Sequence, residues 1–227
     1  MKIKHPLVKG EIKEIKPFIY AVKIPDAYER GMLFCRYQEF YESPIKSIRG
    51  KYFTLEQLMH TYTKTNKHNS FIYPDDWAGY NIPSHILDKS VNLFYKENEY
   101  DKIMNNIYFH CSIDSQNKNN GTRTKWYLIS AEDFDSKLMN HEIAHGLYYT
   151  NSEYKKRCTD LINEMRKVDY ESIRKKLIKM GYGDDKNIID DEIQAYLSTG
   201  LYPQMNTESL KNARKPFLKN FKKFKNV

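Results

Sequence analysis

Cysteine is scarce in this chain. Cys35, Cys111 and Cys158 are odd in number, widely spaced and outside any CxxC pattern. Neither a disulfide framework nor a zinc ribbon is signalled, and buried thiols in a reducing compartment are the expectation. Long apolar runs are missing too. No eighteen apolar residues follow one another, and the opening MKIKHPLVKGEIKEIK has no apolar stretch of signal-peptide length. The expected location is therefore cytoplasmic or otherwise intracellular. Internal repeats and low-complexity blocks are also absent.

What remains is 227 residues, 40% of them apolar, enough for one sizeable core or for a catalytic domain with a smaller appendage. Nineteen Tyr and eleven Phe point to a core rich in aromatics. The net charge of +8 is concentrated near the end, where seven basic residues and no acidic one lie between Lys211 and Lys225. Leu210, Phe217, Phe221 and Phe224 recur there at helical spacing, which reads as a basic amphipathic helix. Its expected place is packed on the body with a solvated basic face; contact with an anionic membrane or polyanion is the alternative.

Along the chain, IKPFIYAVKI (15–24) and the stretch GMLFCRYQEF starting at Gly31 are together rich in aromatic and β-branched residues and read as strands, with a turn at Pro25 and Asp26. Thr54 and Gln57 form a capping-box pattern ahead of a helix over LEQLMHTYTK. A polar, turn-rich stretch, NKHNSFIYPDDWAGYNIPS, then reads as a loop up to Ser84. Helical periodicity follows to about Ile107, and IYFHCSID and KWYLISA read as two strands around the loop SQNKNNGTRT. Ser130 and Asp133 suggest a capping box for a helix over 131–149. Asn151 can cap the next helix, over 152–168, and Gly181 with Gly183 closes a third that begins near Tyr170. A last helix runs from about Asn187 to Thr199, ended by Gly200 and Pro203. Strands first and helices after imply an α+β class, a small mixed sheet followed by a mostly helical half. The expected division is an N-terminal β-rich region over 1–83, a catalytic region over 84–205 and a basic tail over 206–227.

The chemistry lies in NHEIAHGLYYT, residues 140–150. In a helix, Phe134, Leu138, His141, His145 and Tyr148 share one stripe, while Met139, Ile143 and Leu147 form a second apolar face, so the helix is expected to be buried nearly all round. His141 and His145 lie one turn apart and can reach one ion, with Glu142 beside it as a general base. Two packed, hydrogen-bonded histidines are the alternative.

A metal site needs a third protein ligand. In the last helix Ile188, Ile189, Ile193, Tyr196 and Leu197 define an apolar arc that contains Glu192, while Asp191 points roughly opposite. A core-facing carboxylate is costly unless a cation neutralises it, which favours Glu192. A salt bridge to a buried basic side chain is the other way to neutralise it. Glu164 is the competitor, but it lies well off the apolar stripe of its own helix.

HEIAH with a later helical acid in DEIQAYLSTG resembles the zincin metallopeptidases, and among them the gluzincin pattern of two histidines and a glutamate. The resemblance covers about residues 106–200. It implies one Zn2+ per chain held by His141, His145 and Glu192, with Glu142 as general base, a peptide or protein substrate, and a sheet whose edge strand, here KWYLISA, pairs with that substrate. Thermolysin-type gluzincins often carry an aspartate four residues after the ligand glutamate to orient a histidine; here that position is Tyr196. Tyr196 or Tyr149 is a candidate donor to the oxyanion, with core packing as the alternative for each. A metzincin would need glycine at 148 and histidine at 151, where Tyr148 and Asn151 stand. The glycine-rich and cysteine-ligand motifs of a peptide deformylase are missing. His60, His68, His85 and His110 are expected on the surface or in packing. Three functions follow: a zinc peptidase; a catalytically inactive zincin-like scaffold whose basic tail contacts a polyanion; and a nucleic-acid-binding module, for which charge is the only support.

Overall fold

The computed structural model describes residues 1–66, 68–77, 79–94, 98–134, 137–200 and 207–226. It is a mixed α+β chain that divides into two compact units, Met1–Leu138 and Met139–Val227. The expected boundary at 83/84 falls inside the first unit, at the junction of a strand and a helix.

The first unit contains β1 (Lys2–His5), β2 (Val8–Lys16), β3 (Ile19–Lys23), α1 (Ala27–Glu42), α2 (Leu55–Thr65), α3 (Tyr73–Asp76), β4 (Tyr80–Pro83), α4 (Ser84–Leu93), α5 (Glu99–Lys118) and β5 (Tyr127–Ala131). The sheet order is β1-β2-β3-β5-β4, antiparallel except for the parallel β3/β5 pair. The parallel pair needs a long crossover, and α1 to α5 with β4 supply it. KWYLISA does form a strand, but β5 is buried at every position with β3 on one side and β4 on the other. It is therefore not the edge strand; β1 and β4 are.

Two expected strands are helices. GMLFCRYQEF lies in α1, whose N-cap Asp26 accepts from the Glu29 N–H at 2.8 Å. The stretch has no β-branched residue and is buried on nearly every side, so neither period showed in the pattern. IYFHCSID lies in α5, started by a capping box between Asn98 and Asp101. Ile103, Met104, Ile107, Cys111 and Ser115 face the core at helical spacing, and the exposed Phe109 and Ile113 masked that period. The helix also absorbs the start of SQNKNNGTRT. Within the expected loop 66–84, α3 and the edge strand β4 form instead. The Thr54–Gln57 capping box is present.

Aromatic packing dominates this core. Phe94 meets Tyr37, Phe40, Tyr52 and Phe53 edge to face, and the Arg36 guanidinium lies 3.9 Å from its centroid. Arg36 also pairs with buried Asp101 and donates to the Phe53 carbonyl. A Cβ on Gly31 would lie 2.6 Å from the Pro74 Cα, so only glycine lets α1 approach α3 this closely.

The second unit is helical: α6 (Lys137–Thr150, its first two residues in the first unit), α7 (Ser152–Asn163), α8 (Lys167–Lys179), α9 (Lys186–Thr199) and α10 (Glu208–Lys225). The described part of α6 starts at Lys137, and residues 131–134, expected to be helical, are not. Ser130 lies in β5, with its hydroxyl donating to Val22 O at 2.9 Å, and the residues that follow it are not helical, so it is not a cap. Phe134 therefore falls outside the helix. Asn151 does cap α7, accepting from Tyr154 N–H at 2.9 Å, but that helix stops at Asn163 rather than 168. Gly181, at φ 105°, takes the left-handed conformation that ends α8. Pro203 lies outside the described residues.

Helix α9 packs against α7, α8 and α10, and α10 also packs against α7. The core here gathers Ile162, Ile173, Leu177, Ile189, Ile193 and Phe217 among others. Leu210, Phe217, Phe221 and Phe224 of α10 are buried, and Lys211, Lys215, Lys219, Lys222 and Lys223 are exposed. The tail is thus a packed amphipathic helix with a solvated basic face. No described helix is long and apolar enough to cross a membrane.

Candidate metal centre

Two helices of the second unit build the site. Helix α6 is buried from Glu142 to Tyr148, and its pitch sets the rings of His141 and His145 one turn apart, edge to face with centroids 4.8 Å from each other. Helix α9 starts at Asp185, whose Oδ1 accepts from the N–H groups of Asn187 and Ile188. It is buried on almost all sides over its last two turns, which carry Glu192 inward.

His141, His145 and Glu192 each offer one ligand atom, all within 4.8 Å of one another. The two Nε2 atoms lie 3.1 Å apart; Glu192 Oε2 is 3.7 Å from the first and Oε1 3.6 Å from the second. Donors at about 2.0–2.1 Å from a tetrahedral ion stand roughly 3.3–3.4 Å apart. The nitrogen pair lies close to that value, and the Glu192 carboxylate faces it with one oxygen toward each ring, so the residues present fit a metal ion. Glu192 Oε2 is buried with no hydrogen-bond partner among the described residues, which an ion would correct. No other group of three such side chains among the described residues could hold an ion. Glu164, the competing ligand, is exposed at the C-cap of α7 and is not part of the group.

The outward-facing nitrogens are occupied. His145 Nδ1 lies 2.9 Å from Asp191 Oδ1. Asp191 therefore does not point away from the site: one imidazole is held between the carboxylates of two consecutive residues. The 100° step between them lets Asp191 reach one nitrogen while Glu192 faces the other. His141 Nδ1 lies 3.5 Å from Thr199 Oγ1, whose own proton goes to Ala195 O at 2.7 Å. That hydroxyl can only accept from Nδ1–H, which leaves the Nε2 lone pair directed at Glu192 and His145.

Burial by itself opposes charge on His145, but the nearby charges of Asp191 and Glu192, the bond to Asp191 and the charge of Glu142 outweigh it. They hold its pKa well above the ordinary histidine range. Glu142 is 5% exposed, so the expected general base is buried beside its neighbouring ligand. The Tyr196 ring lies 4.6 Å from the His141 ring, and its hydroxyl is 3.0 Å from that of Tyr182. Tyr149 is half-buried. His60, His68, His85 and His110 lie in the first unit and outside the group.

Pattern reading missed Asp191, Thr199 and Gln194, which support the ligands from outside. One signal was present: the last two turns of α9 are buried on almost all sides, so their polar residues had to find partners. No family model, curated protein or solved structure matches this chain.

Proposed function

We propose that the protein is a zinc-dependent peptidase of the gluzincin type. The observation that carries this reading is the convergence of two Nε2 atoms and one buried carboxylate, with both Nδ1 atoms already partnered. Two nitrogens and one carboxylate oxygen suit zinc with a coordination position left open. When bound, zinc supplies Lewis acidity, which polarises a carbonyl and eases deprotonation of water. His141, His145 and Glu192 would hold the ion, with Asp191 and Thr199 fixing the two rings. Glu142 takes a proton from the attacking water and returns it to the leaving amine. Tyr196 has its ring against His141 and its hydroxyl at Tyr182, which favours packing; donation to an oxyanion would need that hydroxyl to turn.

A second reading rests on the 3.1 Å contact between the Nε2 atoms: an imidazolium donating to a neutral imidazole would make a structural pair in a non-catalytic scaffold. Elemental analysis and peptide hydrolysis separate the two. The peptidase reading expects one zinc per chain, and a Glu142→Gln variant that keeps the metal and loses hydrolysis. Hydrolysis at the wild-type rate in that variant sinks the mechanism, and absence of bound metal leaves the structural pair.

A further inference from the structure

Behind Asp191 lies a second layer of buried polar groups from four helices. Gln194 of α9 is fully buried. Its Nε2 donates to Asp191 Oδ1 at 2.9 Å and to the Ala144 carbonyl of α6 at 3.2 Å. Its Oε1 accepts from the Tyr154 hydroxyl of α7 at 2.9 Å. That hydroxyl also lies 3.1 Å from Ser198 Oγ, and because its single proton goes to Gln194, Ser198 must donate to it. Cys158 Sγ, 3.9 Å from Gln194 Oε1, is in turn 3.4 Å from Asn220 Nδ2 of α10.

The proton count leaves one orientation for the Gln194 amide. Reversing it would set Oε1 against a carboxylate and a carbonyl, neither of which has a proton to give. The amide is therefore a directional clamp. It donates to the same Asp191 oxygen that meets His145 Nδ1, and its bond to the α6 backbone ties that oxygen to the helix carrying both histidines.

We infer that Gln194, backed by Tyr154, is a positioning residue that holds the Asp191 carboxylate on His145 Nδ1 and so aims His145 Nε2 into the metal centre. The inference deepens the zinc reading and rests on it for its effect on affinity, but the clamp itself has a metal-free signature. A residue that acts through Asp191 should matter only while Asp191 is there. A residue that merely fills the core should matter equally with or without it.

The test uses the full chain as wild type, Asp191→Ala, Gln194→Met, the double variant and Tyr154→Phe. Zinc affinity is read by chelator competition, and water exchange of the His145 Nδ1–H proton is read by NMR in excess chelator. Gln194→Met is expected to weaken zinc binding about tenfold, at the lower end for outer partners of metal-ligating histidines. It should also speed Nδ1–H exchange and add little once Asp191→Ala, which removes the oxygen that Gln194 holds, is present. Tyr154→Phe removes one hydroxyl and should shift both readouts the same way by less, which keeps the clamp testable if Gln194→Met does not fold. Unchanged exchange in Gln194→Met and Tyr154→Phe, or losses in affinity that multiply in the double variant, would overturn the inference. If the wild type binds no zinc, the metal reading fails, and the exchange measurement still decides the clamp.

Discussion

Asp191→Asn isolates one electrostatic contribution to metal binding. The substitution keeps the shape of the side chain and an oxygen that can accept from both His145 Nδ1 and Gln194 Nε2. What it removes is the negative charge. A hydrogen bond to a charged acceptor contributes about 1.5–3 kcal/mol and a neutral one about 1, so the expected loss is roughly 1–2 kcal/mol. At 1.4 kcal/mol per factor of ten, zinc should bind about 5- to 30-fold more weakly. One effect runs the other way. Asp191 also raises the proton affinity of His145, and a proton on that ring competes with the metal. Chelator competition should therefore be run over a pH series and compared at its alkaline limit, where the proton no longer competes. Affinity within twofold of wild type at that limit would refute the assignment of Asp191 as the orienting carboxylate of His145.

Further predictions concern the third ligand, the first unit and the thiols. Glu192→Ala should abolish stoichiometric zinc, while Glu164→Ala, an exposed change, should leave both metal content and hydrolysis unchanged; the reverse outcome would move the third ligand. Arg36→Met leaves buried Asp101 without its cation and should cost about 3–5 kcal/mol in urea unfolding, the usual penalty for breaking a buried ion pair. A loss below about 1 kcal/mol would show that Asp101 is satisfied by Tyr37 and its cap alone. Burial pushes the Cys35 and Cys158 thiols up to about 12 and raises Cys111 as well. None should react quickly with a disulfide reagent at pH 8 in the native protein, and all three should react after denaturation. Rapid native labelling of any of them would contradict its burial.

Local patterns were readable wherever one physical cause dominated. The Thr54 capping box, the Asn151 cap and the Gly181 terminator were visible because each is a short-range backbone requirement met by one or two side chains. The amphipathic tail was visible because only one of its faces is buried. Periodicity failed where burial was uniform, as in α1, or where apolar side chains such as Phe109 and Ile113 face solvent, as in α5.

For the site, spacing alone paired His141 with His145, because residues four apart in a helix stack, and placed Glu142 beside them. The apolar arc of the last helix was enough to select Glu192 over Glu164. The rest was decided by tertiary packing. Whether Asp191 faces solvent or an imidazole depends on the distance and rotation between α6 and α9, and no local pattern encodes those. The Gln194 amide acquires its direction only when donors and acceptors from α6 and α7 surround it. By itself the sequence determined which groups could bind a metal; the assembled helices decided which nitrogen of each ring faces the site and what holds it there.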